Sequence, residues 1–102
     1  MTVQQVLEGR QRQGIDEELC YKITTTPWGS SPTGVEVKAY VGENNRAEVT
    51  DIVFPTNEPE VVGDVITLSP AKNLGIGIVY KIETKFTTGS NLWECLFELE
   101  GI

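Results

Sequence analysis

The chain has 102 residues, 39% of them apolar and 23% charged, with fifteen acidic side chains against eight basic ones and a formal charge of −7. A domain of this size buries roughly 60 to 70% of its unfolded surface and leaves little room for a deep catalytic cleft. The charge argues against a nucleic-acid partner, because Arg10 and Arg12 are followed at once by Asp16, Glu17 and Glu18, and a phosphate-binding surface needs clustered Lys and Arg. No run approaches the roughly 18 apolar residues of a membrane span. The opening MTVQQVLEGRQRQG lacks the basic start and apolar stretch of a secretory signal.

Residues 1–15 carry the weakest pattern. Val3, Val6 and Leu7 have helical spacing for about two turns, but Gly9 and the polar QRQ run end it. They are expected to form a flexible arm, or one that packs on a neighbouring subunit, ahead of a single domain over residues 16–102. From Leu19 to Thr26 the chain alternates and is rich in β-formers. PWGSSPTG then breaks it. Val35, Val37, Ala39 and Val41 alternate with Glu36, Lys38 and Tyr40, which marks a second strand. AEVTDIVFP reads as a third, stopped by Pro55, with an ambiguous inner face because Val49 and Val53 compete with Ile52 and Phe54. EPEVVGDVITLSP reads as two short strands around the turn dipeptide Gly63-Asp64, with Ile66 and Leu68 as core contacts.

The clearest stretch is the last. Gly89-Ser90 suits the centre of a type II′ turn, with Gly first. That turn sets Phe86 opposite Trp93, Thr84 opposite Cys95, Ile82 opposite Phe97 and Tyr80 opposite Leu99. Alternate positions pair Lys85 with Glu94 and Lys81 with Glu98, so one face is apolar and the other charged. A slip of one residue would invert both faces.

Seven strands result, at 19–26, 35–41, 47–54, 59–62, 65–69, 78–88 and 92–100. Short strands with turn signals every 8 to 12 residues suggest a sandwich or a barrel. Leu74, Gly77 and Tyr80, at the entry to the sixth strand, resemble the tyrosine corner of immunoglobulin-like and fibronectin-like domains. There a Tyr returns its hydroxyl to upstream backbone. The expected fold is therefore all-β: a seven-stranded immunoglobulin-like or fibronectin III-like β-sandwich with a short N-terminal arm. The family's disulfide pair is absent. Cys20 and Cys95 lie in different predicted strands, and a bridge between them would require the first and last strands to be neighbours. Without a signal sequence, reduced thiols are the default, with Cys95 facing inward beside Thr84.

Catalytic chemistry finds little support. The chain has no histidine, which removes the usual general base near neutrality, the Ser-His and Cys-His pairs and most catalytic zinc sites. No CxxC, Walker loop or GxGxxG occurs, and no acidic run resembles an EF-hand loop. Paired carboxylates could serve a glycosidase, but on strand faces they read as solvated. No enzyme activity, cofactor or metal is expected.

Candidate interaction residues are Trp28, Ser30, Ser31, Tyr40 and Leu96. Trp28, between Pro27 and Gly29, reads either as a plug over the end of the core or as an exposed contact for sugar or protein. Serines in such a loop are ordinary turn formers. Tyr40 and Leu96 point outward and could mark a sheet face that meets another subunit.

The stretches DEELCYKITTTPWGSSPT, VVGDVITLSP and YKIETKFTTGSNLWECLFELE resemble, in that order, small uncharacterised β-sandwich proteins encoded by tailed bacteriophages and prophages. The resemblance covers most of the chain, and its motifs are structural. It implies a non-catalytic structural or accessory protein of the head or tail, with other phage structural proteins or its own copies as partners. The implied location is the bacterial cytoplasm during assembly, and then the virion. The alternative is a stand-alone module that binds carbohydrate or a host surface.

Overall fold

The structure is a computed structural model that describes residues 3–5, 11–42 and 47–102. Its elements run β1 (Val3–Gln5), β2 (Gln11–Gln13), β3 (Lys22–Thr24), β4 (Thr33–Val41), β5 (Ala47–Glu48), α1 (Thr50–Val53), β6 (Glu60–Val62), β7 (Val65–Thr67), β8 (Val79–Thr88) and β9 (Asn91–Gly101). The fold is all-β with two sheets. The larger has the order β1-β9-β8-β4-β5, with β2 also on β9; the smaller has the order β3-β7-β6. One buried cluster unites them: Ile23, Ile66 and Leu68 from the small sheet side, and Val37, Ala39, Ile82, Phe86, Phe97 and Leu99 from the large one. No helix among the described residues is long and apolar enough to cross a membrane.

The closing hairpin adopts the expected register, with Phe86↔Trp93, Thr84↔Cys95, Ile82↔Phe97, Tyr80↔Leu99, Lys85↔Glu94 and Lys81↔Glu98. Gly89 takes φ +58°, the left-handed value that the first position of a II′ turn requires. Phe86, Cys95, Phe97 and Leu99 are wholly buried, while Lys85 Nζ meets Glu94 Oε1 at 3.3 Å on the outer face. That contact raises the Lys85 pKa, first through the hydrogen bond itself and then through the charge. The tyrosine-corner geometry is also present. Gly75 N–H donates to the Tyr80 hydroxyl at 2.8 Å, which ties the loop before β8 to its second residue.

Two expectations are corrected. The predicted third strand, 47–54, survives only as β5, because the chain turns into α1 at Thr50. A strand cannot bury neighbouring side chains on one face, whereas a helical turn can; here Thr50, Val53 and Phe54 are all buried and Ile52 is left out. The second correction concerns the arm. Gln11–Gln13 pair in parallel with Leu99–Gly101, and Val3–Gln5 with Glu94–Leu96, so these two segments of the expected flexible arm are in the sheet. Its helical spacing at Val6 and Leu7 falls outside the described residues. Nine strands are described where seven were expected.

Gln13 explains how so polar a strand is held. Its side chain is fully buried. Its Nε2 donates to the carbonyls of Ala71 (2.7 Å) and Glu17 (2.8 Å), and its Oε1 accepts from the Tyr21 hydroxyl (2.9 Å). Every polar atom of the buried amide is satisfied, as a buried polar group requires.

Candidate functional site

Three connections meet at one end of the molecule: the β3–β4 loop (25–32), the β6–β7 turn (63–64) and the β8–β9 turn (89–90). Asp64 joins the first two. Its carbonyl accepts from Thr25 N–H at 2.7 Å. Its carboxylate accepts from the Thr26 hydroxyl at 3.1 Å and from Ser31 N–H at 3.3 Å. The second of these bonds holds Ser31 at φ +53°, an uncommon conformation for a residue with a side chain. Inside the loop, Trp28 N–H and Gly29 N–H both donate to the Thr25 carbonyl, at 2.8 and 2.9 Å.

Thr88 joins the loop to the closing hairpin. Its hydroxyl donates to the Trp28 carbonyl at 3.1 Å and accepts from Trp93 Nε1 at 2.9 Å. Gly29, at φ +142°, approaches Thr88 so closely that an added Cβ would lie 2.6 Å from its hydroxyl oxygen. Thr88 is a position where only glycine fits opposite. The three connections therefore form one surface, with Pro27, Ser30 and Ser31 exposed on it.

The expected site residues separate into two groups. Trp28, Ser30 and Ser31 share the loop end. The Trp28 ring is half-buried against Phe86, with centroids 6.3 Å apart and planes at 57°, so it is a plug that keeps one side open. Tyr40 and Leu96 lie instead on the outer face of the large sheet, in neighbouring rows separated by β8: Tyr40 pairs with Lys81, and Leu96 with Glu83. Both are half-buried among charged neighbours, so they form no joint apolar patch. Trp93 packs against the core from a half-buried position.

Sequence reading missed Asp64, Thr25 and Thr88. Gly-Asp reads as a turn and Thr as a β-former; the partners that tie the three connections together lie 33 to 60 residues away, beyond any local pattern. Among the described residues no three His, Cys, Asp or Glu side chains converge as metal ligands. Cys95 is buried and its thiol is pushed up to about 11 by desolvation, which disfavours the reactive thiolate. Cys20 is exposed, and both cysteines are free.

Searches against protein-family models, curated proteins and solved structures gave no match for this chain.

Proposed function

We propose that the chain is an immunoglobulin-like module that works through protein–protein contacts as a non-catalytic structural or accessory component of a phage or prophage particle. Support for the fold family comes from connectivity. The path β9-β8-β4-β5 corresponds to strands G, F, C and C′ of that architecture, and β3-β7-β6 to B, E and D. Tyr80, near the start of the F-like strand, makes the corner bond to Gly75. Two residues on, where antibody domains carry the second cysteine, stands Ile82. Ile82, Ile23 on the B-like strand and Val37 on the C-like strand are all buried, which suits a sandwich cored by aliphatic packing in place of a disulfide and Trp.

The observation that carries the contact reading is the cross-linked loop end. A surface whose loops are already fixed by Asp64 and Thr88 loses little conformational entropy on docking, and that lower cost favours binding. The open side of Trp28 gives it an apolar anchor, with Ser30 and Ser31 as polar partners. The phage context rests on the sequence resemblance alone, and the non-catalytic reading rests mainly on the lack of histidine.

The test is affinity capture of tagged protein from its native host, with and without prophage induction, followed by mass spectrometry. Head or tail proteins that co-purify after induction, and are lost with Ser30→Arg/Ser31→Arg, are the expected result. A bait free of phage proteins overturns the particle reading. If Trp28 fluorescence then responds to glycans, the carbohydrate-binding alternative takes its place.

A further inference from the structure

We infer that the outer edge of β4 is a docking groove for an extended, lysine- or arginine-bearing segment of a partner protein, which would add to the large sheet as a strand. Pairing between β4 and β5 stops early. It continues one step past β5 through Val49 N–H to the Ala39 carbonyl (2.8 Å), and then side chains replace backbone. The Thr50 hydroxyl accepts from Ala39 N–H at 3.0 Å, and Asn57 Nδ2 donates to the Val37 carbonyl at 2.9 Å. Alternate residues of a strand direct their polar groups to the same edge, so Val37 N–H faces this edge too. It takes no partner among the described residues, although Val37 is only 4% exposed.

An open cleft of about 370 Å³ runs along that edge, between β4 on one side and the chain around Thr50 and Asn57 on the other. An extended peptide supplies what the edge lacks, a carbonyl for Val37 N–H, in the strand-addition mode by which sheet edges recognise partners. The β4 ladder shifts register between Thr33 and Glu36, so the open segment begins just past a bulge, a common feature at sheet edges.

Charge selects the partner. Glu36, Glu48 and Asp51 line the cleft against one base, Lys38, which stands opposite Glu83 in the ladder. A second copy docking edge to edge would bring these carboxylates against their own kind, whereas a basic segment meets opposite charge. This inference does not depend on the loop end being a contact.

The probe is a short, end-capped peptide of alternating valine and lysine, titrated into isotope-labelled full-length protein and followed by NMR. Expected are amide shifts at Val35–Val37 and Glu48–Asp51, with slowed hydrogen exchange at Val37. A glutamate-for-lysine peptide and a backbone N-methylated peptide should each bind at least about tenfold more weakly, a difference well resolved by titration. Glu36→Gln/Asp51→Asn, both at exposed positions, should weaken the lysine peptide several-fold and leave the melting temperature unchanged. Shifts absent from this edge overturn the inference. So does an N-methylated peptide that binds as well as its parent, since that is charge attraction without strand addition.

Discussion

Tyr80 and Tyr21 each hold the fold through one hydroxyl, and each can be tested alone. The Tyr80 side chain is 5% exposed and its oxygen is the partner of Gly75 N–H. Tyr80→Phe leaves that donor unpaired, which costs about 1 to 3 kcal/mol. For a domain of this length each kcal/mol lowers Tm by about 4 to 8 °C, so differential scanning calorimetry should resolve the change. Tyr21 donates to Gln13 Oε1 and tilts against Phe97, with centroids 5.2 Å apart. Burial, and then the nearby charge of Glu17, push its pKa up from 10.0 to about 12. Between those values the unfolded chain has lost this proton while the folded protein keeps it, so stability falls as pH rises through that window. Tyr21 is therefore expected to contribute fully below pH 10 and to lose its contribution by about pH 12. Denaturation midpoints measured across this range should fall more steeply for the parent than for Tyr21→Phe. An equal slope for both would remove Tyr21 as the cause.

At the scale of elements, the N-terminal strands depend on a buried amide rather than on apolar pattern. Gln13→Ala removes three hydrogen bonds, takes away the Tyr21 hydroxyl's acceptor and leaves the Ala71 carbonyl with only the longer bond from Leu19 N–H. A loss of about 2 kcal/mol is expected, with faster amide exchange at Leu99–Gly101, the residues that β2 covers. Unchanged exchange there would show that Gln13 does not anchor β2. This dependence is also why β2 was illegible in the sequence: QRQ carries no periodicity, and the groups that satisfy Gln13 come from Glu17, Tyr21 and Ala71. The β8–β9 hairpin lies at the other extreme. A two-residue turn, an alternating apolar face and opposed charges all specify one register, so every pair from Tyr80↔Leu99 to Phe86↔Trp93 could be read directly. Residues 49–54 mislead because Ile52, Val53 and Phe54 are strong β-formers in succession. Tertiary context decides there: Thr50 takes the Ala39 N–H that a continuing β5 would have taken.

For the whole molecule, topology matters most because it gathers Thr25–Ser31, Asp64 and Thr88 from three connections into one end. Trp28, Ser30 and Ser31 were legible as one loop, whereas its fixation by Asp64 was not, because a carboxylate in a turn carries no sign of its distant partners. The outer face of the large sheet is of another kind. There Lys85 stands between Glu94 and Glu36, and Glu83 opposite Lys38, a charged pattern that suits a solvated surface. The contact with particle proteins is therefore proposed at the loop end rather than on this face. The most direct measurement is site-specific photo-crosslinking in the induced native host, with the crosslinker at Ser30 in one variant and at Glu83 in another. Adducts with a virion structural protein from Ser30, and none from Glu83, are the predicted result. Adducts from Glu83 alone, or none with virion proteins from either position, would contradict it.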